Sequence, residues 1–267
     1  MCCFSGPVKD VSGTKIFARL DGNTQLLAYA MQISADADLA MILPIPTPPG
    51  SAEDAVKFVN LEKYPDLFDD LWKGFAPRSR GFSNGKEAVP QGAKLEVHSV
   101  GAFEASFVPA RKDMDRLDER FRFPAGALEV LTRGKTREAL GLSEEAWKAL
   151  PDYRDWGFCV FKLKQGAAQK VHPMALRFPT RWPEKLFFPT VHVHEGQWTP
   201  RARFDHRLYA QGGLDPAHLN EWRESPGPAT QFVKVDEAQG LVLGDQHVLL
   251  RELRGELGNQ DTVVALQ

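Results

Sequence analysis

Three features are scarce in this sequence, and each scarcity excludes a class of protein. Only three cysteines occur in 267 residues, which excludes a small scaffold held together by disulfides. The formal charge is −2, with 33 Lys and Arg against 35 Asp and Glu, so no global field attracts nucleic acid or anionic lipid. The longest apolar run, Leu39–Ile45, contains Pro44 and is too short to span a bilayer.

The amino terminus also lacks the features of a secretory signal. The opening segment, MCCFSGPVKD, has neither a cationic start nor an apolar core of the usual length. Three thiols in so long a chain are typical of a reducing compartment. We therefore expect a cytoplasmic protein that binds neither membrane nor nucleic acid, and its composition leaves the oligomeric state open.

Hydrophobic residues are plentiful. They make up 43% of the sequence, which is enough for one sizeable core. Period-two alternation dominates both ends of the chain, whereas capped segments with helical spacing lie between them. An Asp-Gly pair at 21–22, flanked by alternating segments at 14–20 and 23–33, predicts a hairpin. The sequence thus predicts a single α+β domain over residues 1–267, with a mostly antiparallel sheet, helices clustered in the middle of the chain and a long irregular loop at 75–92.

Caps and alternation also predict individual elements. Helices are expected after Ser51, at 66–74, at 110–122 and after Ser143. Paired strands are expected within 94–108, between 156–164 and 171–178, and between 186–194 and 203–209. Four prolines within 44–49 favour an extended exit from the third strand rather than a place inside a sheet.

The amino terminus carries the first candidate for chemistry. Removal of Met1, which is usual before a small residue, would leave Cys2 as the first residue. Its free α-amine titrates near pH ~7.7–8.0 and can serve as general base for the thiol of the same residue. Cys2 is therefore a candidate nucleophile.

The start Met1-Cys2-Cys3-Phe4, followed by the segment IFARLD at 16–21, resembles the amino-terminal-nucleophile hydrolases of the penicillin-acylase and bile-salt-hydrolase branch. One residue separates Arg19 from Asp21, where that branch has two. The resemblance covers about twenty residues. It implies an amidohydrolase that acts on a small amide without a cofactor, with Cys2 as nucleophile and Arg19 and Asp21 binding or orienting the substrate.

A histidine cluster is the second candidate, because His172, His192, His194 and His206 fall within 35 residues. His192 and His194 would project from one face of a strand. If residue 194 pairs with residue 203, Asp205 stands opposite His192 and His206 turns to the core. His-x-His on a strand with a third donor, such as His172, His206, Cys2 or Cys3, is typical of first-row metal sites holding zinc, copper or iron.

A second resemblance extends over the first fifty residues. The strings Cys2-Cys3-Phe4-Ser5, Ile16-Phe17-Ala18 and LPIP at 43–46 are similar to those of uncharacterised bacterial proteins. That resemblance implies a bacterial source and no particular chemistry. A third alternative therefore stays open beside the hydrolase and the metal-binding protein: an interaction module that meets a partner through its 75–92 loop.

Overall fold

A computed structural model of the chain describes residues 3–6, 8–36, 38–75, 98–100, 103–118, 129–163, 166–169, 172–193 and 197–267. Within these ranges the protein is rich in strands and poor in helices, and the strands form three sheets. Only residue 75 of the predicted 75–92 loop belongs to the described residues, where Phe75 is buried; the rest of that prediction lies outside them.

The first sheet has five strands in the order β1-β4-β8-β7-β6. They are β1 (Cys3–Phe4), β4 (Leu39–Ile45), β6 (His98–Val100), β7 (Phe103–Val108) and β8 (Gly157–Leu163). The predicted strand pair within 94–108 is confirmed by β6 and β7. The expectation for the proline run is wrong at its start, because β4 continues through Pro44, which pairs with Phe158 of β8.

The second sheet is the largest and carries the residues of interest. Its order is β13-β14-β12-β2-β3-β10-β5, and β9 pairs with β3. The strands are β2 (Asp10–Asp21), β3 (Thr24–Ala35), β5 (Lys57–Val59), β9 (Gly166–Gln169), β10 (Met174–Pro179), β12 (Arg201–Gln211), β13 (Arg223–Glu224) and β14 (Leu249–Gly258). The pair β2–β12 is parallel, and the other pairs described in this sheet are antiparallel.

A third sheet consists of β11 (Lys185–Phe188) and β15 (Thr262–Ala265), which pair antiparallel. The predicted hairpin at 14–33 is confirmed by β2 and β3, with Asp21 opposite Thr24. Gly22 adopts φ 56° at the first of the two loop residues, a backbone conformation that a residue with a Cβ seldom adopts.

The other two predicted hairpins are wrong. Strand β8 belongs to the first sheet and β10 to the second, so the segments at 156–164 and 171–178 do not pair with each other. Strand β11 pairs with β15, while β12 pairs with β14 and β2. Alternation identifies a strand and its buried face, but it does not identify the partner strand.

Among the described residues, helices are few and spread along the chain, which corrects the expected cluster in its middle. They include α1 (Leu67–Lys73), α2 (Glu144–Ala149) and α3 (Pro216–Leu219), with 3-10 turns at Arg111–Arg116 and Ala229–Gln231. The helices predicted at 66–74 and after Ser143 are confirmed, and the Ser143 Oγ accepts a hydrogen bond from the backbone N–H of Ala146.

The structure differs from the other two helix predictions. The segment after Ser51 forms turns and then strand β5, which pairs with β10 through residues 57–59. The segment at 110–122 forms a 3-10 turn, and its part from residue 119 onward lies outside the described residues.

Part of the second sheet is covered by apolar residues on both faces. Ile16 and Ala18 of β2 point into a core shared with the first sheet, whereas Phe17 between them points into a smaller core with Leu67 and Leu71 of α1. A polar group on a strand face that packs against such a core is buried with it. This property determines the environment of the histidine on β12.

Candidate functional site

His206 lies on the inner face of β12, in the larger core. Strand alternation places it on the same face as Phe204 and Leu208, and its pairing partner on β14 is Leu253. The side chain is fully buried, and within the described residues neither ring nitrogen has a hydrogen-bond partner. Burial lowers the pKa of His206 to about 2, so the imidazole is neutral at physiological pH.

His192 meets His206 from the segment between β11 and β12. The two imidazole centroids are 5.0 Å apart and the rings are nearly perpendicular, at 86°. The His192 ring also packs edge-to-face on Phe204, with centroids 4.7 Å apart. Two imidazoles and an aromatic ring therefore form one contiguous group inside the protein.

Asn259, which follows β14, fixes the backbone that carries His192. Its Oδ1 accepts a hydrogen bond from the N–H of His192 at 2.7 Å, and its Nδ2 donates to the carbonyls of His192 at 2.8 Å and Thr199 at 2.9 Å. The Asn259 side chain is only 2% exposed, so its amide group is satisfied inside the protein.

Asp261, two residues after Asn259, binds the backbone of the same segment. Its Oδ1 accepts from the backbone N–H groups of Thr190 at 2.9 Å and Val191 at 3.1 Å, and its Oδ2 accepts from the hydroxyl of Tyr153. Burial raises the pKa of Asp261, and the Tyr153 hydrogen bond opposes that rise. Together Asn259 and Asp261 set the position of the His192 backbone relative to β12.

The predicted composition of the histidine cluster needs correction. His192 meets His206, whereas the sequence placed these two side chains on opposite faces. Asp205 lies on the outer face of β12, where it accepts a hydrogen bond from the N–H of Gly13. The error follows from the failed hairpin, which supplied the register. His194, the other member of the His-x-His pair, lies outside the described residues.

His172 has surroundings of its own. Its ring stacks on Phe103 of β7 with centroids 4.6 Å apart, and its Nδ1 lies 3.2 Å from the carbonyl oxygen of Pro173. In the portion of the chain that the structure describes, no three His, Cys, Asp or Glu side chains are grouped to hold a metal ion.

The residues of the predicted hydrolase site are placed as follows. Cys2 lies outside the described residues, and its neighbour Cys3 pairs with Ile42 at the edge of the first sheet. The Arg19 guanidinium is buried, where it donates to the carbonyls of Leu241 at 2.7 Å and Gly240 at 2.6 Å.

Burial lowers the pKa of Arg19 as well. Its guanidinium thus fastens the 240–241 turn against β2. Asp21 is exposed at the end of β2, next to the hairpin turn. The hydrolase arrangement stays a prediction.

Sequence reasoning missed Asn259, Asp261 and Tyr153. The string GNQD at 258–261 has the composition of an ordinary surface turn. Its buried role depends on contacts with residues about 60 to 108 positions away in the chain. A polar turn between two strands is the only local signal, and it does not distinguish a buried clamp from an exposed loop.

No protein-family model matches the sequence. Among solved structures, the chain is similar to baculovirus P35, with a TM-score of 0.42, 14% identity and 97% of each chain covered. It is also similar to a chain in the crystal structure of the caspase-8/P35 complex, with a TM-score of 0.40, 13% identity and 96% of each chain covered. At these values the likeness assigns neither a family nor a function. Among the described residues, no helix is long and apolar enough to cross a membrane.

Proposed function

We propose that the protein binds a first-row transition-metal ion through His192 and His206. The observation that carries the proposal is the fully buried imidazole of His206, whose two nitrogens have no hydrogen-bond partner within the described residues. A buried polar group without a partner costs about 1–3 kcal/mol. Coordination of an ion by one nitrogen would remove part of that cost, and the neutral imidazole is the form that binds metal.

The spacing of the two rings supports the same proposal. With a metal–nitrogen bond of about 2.0–2.1 Å, an imidazole centroid lies about 3.2 Å from the ion, so two rings at the tetrahedral angle have centroids about 5.2 Å apart. The centroids of His192 and His206 are 5.0 Å apart. The two side chains therefore have the separation of two ligands on one ion.

The position of the His192 backbone is fixed by residues outside the pair. Asn259 and Asp261 accept hydrogen bonds from the backbone N–H groups of residues 190–192, and this fixes the point from which the His192 side chain reaches His206. Two protein ligands leave coordination positions to fill. His194, from the sequence prediction, is the third donor that we include in the proposal, with Cys2 or Cys3 as the alternative.

Metal analysis of untagged protein tests the proposal. We expect zinc, copper or iron at close to one ion per chain, and a loss of most of it in His192→Ala and in His206→Leu, which keeps an apolar side chain in the core. His218→Ala, at the last turn of α3, is the control and should keep its metal. Cobalt substitution adds a visible spectrum that reports ligand change even if a variant is less stable. Little metal in the wild type, or equal metal in all variants, would refute the proposal.

A further inference from the structure

A polar cleft of about 410 Å³ lies on the opposite side of β12 from the histidine pair. It is formed where β2, β12 and β14 run side by side, and it is lined by residues 13–15, 203–205, 207 and 254–255. Its volume falls in the range of sites for small molecules, about 300–1,000 Å³.

Positive charge dominates the lining of this cleft. Lys15, Arg203, Arg207 and Arg254 contribute cations, and Asp205 contributes a carboxylate that accepts a hydrogen bond from Gly13. In a chain whose formal charge is −2, this is a local surplus of positive charge.

The nearby acids only partly offset these cations. Glu252 is shared between two of them, since it contacts both Arg207, at 3.3 Å, and Arg254. Lys15 lies 3.5 Å from Asp69. Arg203 stands opposite Glu256 on β14, but that carboxylate is bonded to Arg201 at 2.9 Å. Within the ranges that the structure describes, no ion pair or side-chain hydrogen bond involves the Arg203 guanidinium.

The cleft is built on strands rather than on loops. A bulge in β2 between Ser12 and Lys15 opens it on one side, with Gly13 at φ 60°, and Gly255 of β14 has φ 84°. A Cβ added at either glycine would meet nothing within 4 Å, which leaves open space beside the backbone. Arg207 is held in place because its guanidinium lies 3.8 Å from the ring centroid of Trp72.

We propose that this cleft binds the phosphate group of a small phosphorylated molecule, held by Arg203 and Arg254 with support from Lys15. A phosphate monoester carries a charge of about −1.5 to −2 at pH 7 and several acceptor oxygens, which match the surplus of arginine donors. Guanidinium groups bind phosphate through paired hydrogen bonds, so two arginines on neighbouring strands provide both charge and orientation. This site is separate from the proposed metal site and does not depend on it.

Calorimetric titration with phenyl phosphate and with inorganic phosphate tests the inference, with phenol as the uncharged comparison. We expect saturable binding of phenyl phosphate, no binding of phenol, and a loss of affinity of at least about tenfold in the double variant Arg203→Ala/Arg254→Ala. Arg116→Ala is the control, because it removes an exposed arginine that pairs with Glu53 and lies outside the cleft. It should leave the affinity unchanged.

The remaining outcomes are also decisive. Binding of inorganic phosphate alone would support an anion site and refute the organic phosphate ligand. Equal affinity in the double variant and in Arg116→Ala would show nonspecific attraction and overturn the inference. A phosphopeptide that binds while phenyl phosphate does not would replace the small molecule by a protein partner. Thermal unfolding of each variant, which should match the wild type within about 2 °C, verifies that the fold is intact.

Discussion

The two faces of β12 differ in chemistry although their residues alternate along a single strand. The inner face carries Phe204, His206 and Leu208, all buried in the larger core. The outer face carries Arg203, Asp205 and Arg207, which line the polar cleft. The same backbone therefore supports a low-dielectric environment on one side and a solvated, charged one on the other.

This difference determines the free-energy cost of a charged side chain on each face. A charge on the inner face loses its hydration without gaining a partner, so His206 is neutral and its pKa is lowered to about 2. Charges on the outer face remain hydrated, and their ion pairs add little stability. We therefore expect substitutions on the inner face to change the folding free energy, and substitutions on the outer face to change binding.

The largest effect is expected from Leu208→Ala on the inner face. Leu208 is fully buried between Ile16 of β2 and Arg251 of β14 in the sheet, and its truncation leaves a cavity in the core. Buried leucine-to-alanine changes cost about 2–5 kcal/mol. Urea unfolding should show a loss in this range, and a loss below about 1 kcal/mol would contradict the packing of this face.

In protein stripped of metal, we expect His206 to make the free energy of unfolding depend on pH, with a smaller effect than that of Leu208→Ala. The pKa of His206 is about 2 when folded, and an unfolded histidine has a pKa near ~6.5, so the unfolded chain takes up the proton first as pH falls. The contribution of neutral His206 to the free energy of unfolding is fully present above pH ~6.5. It decreases progressively below that pH, by about 2 kcal/mol at pH 5.

Urea unfolding at pH 7 and pH 5 in the presence of a chelator measures this loss. His206→Leu should lose less stability than the wild type over that interval, by about 2 kcal/mol, because its side chain does not titrate. His218→Ala serves as the control, since His218 is only partly buried at the end of α3. An equal loss in wild type and His206→Leu would mean that water reaches the histidine pair.

The sequence predicts the strand and the residues on each of its two faces, because both depend on residues that are neighbours in the chain. Alternation identifies 203–209 as a strand, and it separates Phe204, His206 and Leu208 from Arg203, Asp205 and Arg207. The same reasoning found the β2–β3 hairpin and the helices at 66–74 and after Ser143.

The partners of each strand could not be predicted in the same way. The pairing of β12 with β2 joins segments about 190 residues apart. Neither segment contains a sequence feature that identifies the other as its partner strand. Because partner and register were wrong, the sequence placed His192 with Asp205 rather than with His206. Asn259 and Asp261 were missed for the same reason, since both act on a segment remote in the chain.

The smallest effect on stability is expected from Arg203→Ala on the outer face, and this makes it the sharpest test of the comparison. Arg203 is exposed, and Glu256, which stands opposite, is bonded to Arg201 instead. Surface substitutions of this kind change the unfolding free energy by no more than about 0.5 kcal/mol. We therefore expect urea unfolding of Arg203→Ala to match the wild type, while Leu208→Ala, five residues along the same strand, does not. A loss above about 1 kcal/mol would show that Arg203 stabilises the sheet, and the outer face would then resemble the inner one.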